Sequence, residues 1–99
     1  MSYIISIHNK AEAEYEEAYN WYLKEQEGLE EDFFQAINKK LQQIVSGPEL
    51  YSIKNSSCRE AVVSGFPYVI VYKINKRAQT INVIAIHHTS RKPKKKYNR

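Results

Sequence analysis

The feature that most constrains this chain is a change of hydrophobic period at Gly47-Pro48. Before it, Ala11, Tyr15, Ala18 and Tyr22 recur at spacings of four, three and four. After Gly28 the same rhythm returns in Leu29, Phe33, Ala36, Ile37, Leu41 and Ile44. Each run carries one apolar stripe of the kind a helix buries, so the spacing predicts an αα-hairpin with a very short turn. Beyond Gly47-Pro48 the segments 59–63, 68–74 and 80–87 are rich in Val, Ile and Tyr. They are separated by Ser64-Gly65-Phe66-Pro67 and Asn75-Lys76-Arg77-Ala78-Gln79. Three strands with short connections predict an antiparallel meander. Ahead of everything, Tyr3-Ile4-Ile5-Ser6-Ile7 is short, β-branched and bounded by polar residues, which predicts a strand. A helix pair with one apolar side and a one-faced sheet bury those sides against each other, so the order β-αα-βββ predicts an α+β fold of two packed layers.

Local signals sharpen the ends of these elements. Asn9 followed by Glu12 has the form of a capping box, and Glu12, Glu14, Glu16 and Glu17 suit the positive end of a first helix running to about Glu25. Gly47-Pro48 stops the second helix. At 99 residues, with 42% hydrophobic residues and only 3 Gly and 3 Pro, the chain reads as one domain spanning 1–99, with a basic tail at 91–99. No internal repeat is visible, and low complexity is confined to that tail.

Charge is distributed unevenly. Between residues 10 and 32 there are nine acids against Lys10 and Lys24, whereas beyond Asp32 only Glu49 and Glu60 are acidic and 13 of the 15 Lys and Arg residues are found. Arg91, Lys92, Lys94, Lys95, Lys96 and Arg99 put six positive charges in the last nine residues, making an anion-seeking segment suited to direct contact with phosphate or acidic protein. The lone Cys58 excludes an internal disulfide and a cysteine-rich zinc site, which points to a reducing, cytoplasmic setting. No apolar run approaches the roughly 20 residues of a membrane span, and the first eight residues are too short for a secretory signal. No membrane association is expected.

The chain has no glycine-rich phosphate loop and no nucleophile elbow, so no cofactor is expected. Neighbouring strand residues point to opposite faces, so His87 and His88 do not readily share an ion, and with His8 they give no metal site. What remains is His88-Thr89-Ser90-Arg91-Lys92-Pro93 after the last strand, with Arg59 on a neighbouring strand and Tyr97 in the tail. An imidazole, a guanidinium and a phenol at one sheet end have the chemistry for RNA cleavage: a base for the 2′-hydroxyl proton, Arg for the phosphorane, and an acid for the leaving oxygen. The plainer reading, which the residues alone favour, is that Arg91 ties down the tail and His88 hydrogen-bonds locally. Trp21 with Tyr15, Tyr19 and Tyr22 resembles a stacking platform, but its helical period and surrounding acids favour core or partner packing.

Together these pieces resemble a known family. The ordered set comprises Ala18-Tyr19-Asn20-Trp21-Tyr22, Gly28-Leu29 with Phe33, Pro48 with Tyr51, Arg59, Phe66-Pro67-Tyr68-Val69-Ile70-Val71-Tyr72, and Ala85-Ile86-His87-His88 with Arg91 and Pro93. It is similar to the RelE/ParE superfamily of type II toxin-antitoxin toxins, also labelled plasmid stabilisation proteins, over nearly the whole chain. That resemblance implies an αα-hairpin against an antiparallel sheet. It implies one of two activities: ribosome-dependent mRNA cleavage in the RelE-like branch, or inhibition of DNA gyrase in the ParE-like branch. RelE-like nucleases carry basic residues on the central strands, where this chain has Glu60, Ala61, Val62 and Val69; the Phe66-Pro67-Tyr68 and His88-x-x-Arg91-x-Pro93 forms look more like the ParE-like branch. The expectation is a ParE-like toxin, a binding protein rather than an enzyme, neutralised by a cognate antitoxin. The target-binding candidates are Arg59, His88, Arg91, Lys92, Lys94, Lys95, Lys96 and Tyr97. The antitoxin-binding candidates are Trp21, Tyr22 and Arg59. The alternatives are a RelE-like endoribonuclease acting on the ribosome through His88, Arg91, Arg59 and Tyr97, and a relic that binds a partner without toxicity.

Overall fold

A computed structural model describes residues 3–90. Strand β1 (Ile4–Ile7) leads into helix α1 (Asn9–Glu25) and helix α2 (Leu29–Ser46). A single 3-10 turn (Pro48–Leu50) connects α2 to β2 (Ile53–Asn55), β3 (Cys58–Val62), β4 (Tyr68–Asn75) and β5 (Thr80–His88). The fold is α+β: the helix pair packs on one face of a five-stranded sheet ordered β1-β5-β4-β3-β2.

The meander β3-β4-β5 is antiparallel, as its short connections require, with Ala61 opposite Ile70 and Ile70 opposite Ile86. The whole sheet is mixed, however, because β1 runs parallel to β5 with Ile4 opposite Thr80 and Ile7 opposite Val83. The short β2 also extends the sheet beyond the expected strands. Its three residues are all exposed and carry no apolar alternation, so periodicity has nothing to detect. It is held to β3 by a two-residue turn at Ser56-Ser57, where both residues have positive φ as a type I′ hairpin demands.

Helix α1 begins one residue earlier than the capping-box reading placed it. His8 is the extended N-cap, its ring nitrogen accepting from the Lys10 N–H at 3.1 Å, while Asn9 is already helical. Glu12 accordingly makes an ordinary first-turn bond, its N–H donating to the His8 carbonyl at 3.0 Å. Between the helices Gly28 sits at φ 96, a left-handed conformation in which a side chain would be strained.

The core gathers around Phe33, whose ring centroid lies 5.6 Å from Tyr15, 5.1 Å from Tyr22, 5.3 Å from Phe66 and 5.2 Å from Tyr68. Strand alternation puts Val69, Val71, Ile84 and Ala85 with Cys58 in a second buried cluster on the other side of the sheet. One extra residue, Ile84, interrupts the register between the pairs Val71–Ala85 and Tyr72–Val83.

Tyr72 is fully buried, and its hydroxyl donates to the Pro48 carbonyl at 2.6 Å, tying the end of α2 to the middle of the sheet. Burial, reinforced by Tyr51 and opposed by the Arg59 charge, pushes its pKa up from 10.0 to about 12. The folded state therefore holds this proton where the unfolded chain has lost it. The stabilisation is complete below about pH 10 and is lost as pH rises through about 12. Tyr72→Phe should lower stability at neutral pH by about 1 kcal/mol in urea titrations. It should also flatten the fall in stability over that alkaline window, whereas an unchanged alkaline slope would assign it to other groups.

Candidate functional site

Strand β5 ends at His88, which pairs with Tyr68 at the start of β4 and lies beside α1. A groove of about 680 Å³ opens there, lined among others by Glu17, Trp21, Lys24, Pro67, Tyr68 and His88. Trp21 is 56% exposed, its ring meeting Tyr22 edge-on at 5.0 Å. Tyr22 itself is only 7% exposed and stacks among Phe33, Phe66 and Tyr68. Of the two aromatics expected to meet a partner, Trp21 is therefore the surface one. Tyr22 falls on the stripe of Ala11, Tyr15 and Ala18, and Trp21 is rotated about 100° away from it by the helical twist.

His88 is held in one orientation. Its ring packs edge-on against Tyr68 at 5.1 Å, and its Nδ1 accepts from the Ser90 backbone N–H at 3.2 Å with the Ser90 hydroxyl 2.8 Å away. A backbone N–H can only donate, so Nδ1 carries no proton and the neutral ring holds its hydrogen on Nε2. The remaining nitrogen is thus a donor and not a base. This suits His88 to gripping a carbonyl or phosphate oxygen better than to abstracting a hydroxyl proton. The Thr89 N–H donates to the Pro67 carbonyl at 2.8 Å, which fixes the direction in which the chain leaves the sheet.

Arg59 does not join this site. It pairs with Tyr72, four residues along β4 from Tyr68, which sets it about 13 Å from the level of His88 at the usual strand rise. The antiparallel order explains the separation: the end of β5 lies beside the start of β4, while Arg59 sits at the start of β3 and so beside the far half of β4. Its Nη1 donates to the Tyr51 carbonyl at 2.6 Å and the Glu49 carbonyl at 3.2 Å, pinning the segment that precedes β2. The expectation that Arg59 and His88 share one sheet end is corrected accordingly. Arg91, Lys92, Lys94, Lys95, Lys96, Tyr97 and Arg99 lie outside the described residues.

The three histidines take separate places: His8 caps α1, His87 is buried opposite Val69, and His88 faces the groove. Among the described residues no three His, Cys, Asp or Glu side chains come together as a metal-binding group. One role went unread in the sequence. Glu14 Oε1 accepts from the Ile86 N–H at 3.0 Å, supplying β5 with a partner beyond the end of β1. The signal was its place on the apolar stripe, three residues after Ala11 and four before Ala18.

Residues 5–93 match the family model described as the ParE toxin of the type II toxin-antitoxin system parDE. No curated protein matches the chain. Among solved structures, a chromosomal ParDE toxin-antitoxin system from P. aeruginosa superposes with a TM-score of 0.75 at 13% identity, covering 89% of this chain and 97% of that one. A double mutant of the E. coli toxin RelE in the free state gives 0.64 at 18% identity, covering 91% and 86%. At such identities these two likenesses are likenesses of fold.

Because Arg59 is engaged by two backbone carbonyls, Arg59→Ala should act on stability. We expect a loss of about 1 to 3 kcal/mol in chemical denaturation, the usual cost of removing a charged donor from a partly buried acceptor, here the Tyr51 carbonyl. A variant that keeps wild-type stability but loses toxicity would return Arg59 to the target surface.

Proposed function

The chain belongs to the ParE toxin family of type II toxin-antitoxin systems, and from that premise we propose that it works by binding, arresting DNA gyrase in the cytoplasm until a cognate antitoxin covers it. The observation that carries the binding reading is the arrangement of His88. Its Nδ1 is engaged by Ser90 and its other ring nitrogen is a donor, beside an exposed Trp21 in an open groove. The strand positions Glu60, Val62 and Val69 add no cation to the sheet, which favours inhibition over RNA cleavage. Among the described residues no helix is long and apolar enough to cross a membrane. In this reading His88 and the basic residues Arg91, Lys92, Lys94, Lys95 and Lys96, with Tyr97, meet the target. Trp21 and the groove around it receive the antitoxin.

Induced expression in a bacterium, with DNA and protein synthesis pulse-labelled as growth stops, tests the target. Early loss of DNA synthesis is expected. Early loss of translation with cleaved mRNA would replace gyrase by the ribosome, and growth without arrest would leave a partner-binding protein that poisons nothing in that host.

Trp21 is the chain's 1 tryptophan, so its fluorescence reports on the groove directly. Titration with a cognate antitoxin should shift its emission to the blue as the exposed ring is covered, and Trp21→Ala should weaken neutralisation about tenfold or more, as loss of an aromatic anchor does. Tight binding with unchanged emission would move the antitoxin to another face.

A further inference from the structure

Of the nine Lys and Arg residues in the described part of the chain, seven lie from Lys39 onward, and four of these surround the two β-turns farthest from His88. Lys54 is on β2 and Lys73 near the end of β4, while Lys76 and Arg77 occupy the β4–β5 turn. Two of them, Lys73 and Lys76, line an open concavity of about 550 Å³ together with Ser57, Arg59, Asn75 and Asn82, and Ile53 and Ile74 form its apolar part. The acids nearby are few. Glu49 pairs with Lys76 at 3.2 Å, both well exposed, and Glu60 is on β3. The acidic α1–α2 turn, with Glu25, Glu27, Glu30, Glu31 and Asp32, is at the opposite end, beside the β3–β4 turn, where Tyr22 meets Phe66 at 5.1 Å.

We propose that this concavity is a second polyanion site, separate from the C-terminal tail, and that it takes the phosphodiester backbone of a nucleic acid. Its lining is rich in cations, amides and a hydroxyl, the groups that contact phosphate and sugar oxygens without reading sequence. Its apolar lining residues are Ile53 and Ile74, with no aromatic ring of the kind that most often anchors a protein partner. Lys73 and Lys76 are three residues apart, about 10 Å of extended chain, a separation that long side chains adapt to successive phosphates. The acidic end at the far side of the molecule turns the basic end toward a polyanion on approach. The proposal does not depend on gyrase being the target.

The test is fluorescence anisotropy of the full-length protein with a labelled DNA duplex of about 20 base pairs and arbitrary sequence, over roughly 50 to 200 mM salt. Lys73→Gln/Lys76→Gln should reduce the slope of log affinity against log salt by about 0.9 per lost phosphate contact, nearly 2 in all, with the tail intact. Lys10→Gln/Lys24→Gln, which removes charge from α1, should leave the slope unchanged. Circular dichroism checks that all variants fold alike. An unchanged slope in the double variant, an equal fall in the α1 variant, or preferential binding of a polyglutamate peptide over the duplex would each overturn the proposal. The assay contains no gyrase, so its outcome is separate from that of the growth-arrest experiment.

Discussion

Phe33 joins the layers of this protein. It is 0% exposed and stands among rings contributed by α1, the β3–β4 turn and β4, so the helix hairpin, that turn and the central strand share one packing centre. Burying a side chain of this size is worth about 1.5 to 3 kcal/mol from transfer alone, and its four ring contacts add geometric preference to that gain. The orientation of α1 follows from it. With Tyr15 and Tyr22 turned toward Phe33, Trp21 is left on the rim beside Tyr68 and His88. The groove is thus a by-product of core packing, and the residue at its edge is exposed because its neighbour is not.

The opposite end of the sheet is closed by polar contacts. The Pro48 carbonyl accepts from Tyr72, while the carbonyls of Glu49 and Tyr51 accept from Arg59. The 3-10 turn is too short to satisfy its own carbonyls, so side chains from β3 and β4 do so. This stabilises a segment that would otherwise depend on β2, a strand of three exposed residues. The same use of Arg59 removes it from the site near His88.

Both helices, the first strand and the meander were legible because their apolar spacing spans several repeats, and burial selects spacing. Strand β2 was not, being three residues long without a pattern, and the parallel pairing of β1 was not, because it joins residues more than 70 positions apart. His8 displaced Asn9 as the cap since an imidazole nitrogen accepts an N–H as well as an amide oxygen does, a competition that spacing cannot rank. For the site, His88 and Trp21 could be named but not their setting. The remoteness of Arg59 follows from counting four residues along β4, which requires a register. Tyr22 and Trp21 are adjacent letters whose opposite burial depends on which side of the helix meets Phe33.

The described residues already carry a charge separation, acidic at the helix turn and basic at the β-turns, before the tail is considered. The nine acids between residues 10 and 32 lie on α1, the helix turn and the start of α2, while the cations of β2, β4 and the β4–β5 turn have only Glu49 and Glu60 for company. Opposite charges close together mask each other's field within about a Debye length. On that ground the β-turn end is the less compensated surface of the folded layers, although the tail holds more charge. An anionic partner approaching these layers is drawn first to the end that sequence reading, fixed on the tail, passed over.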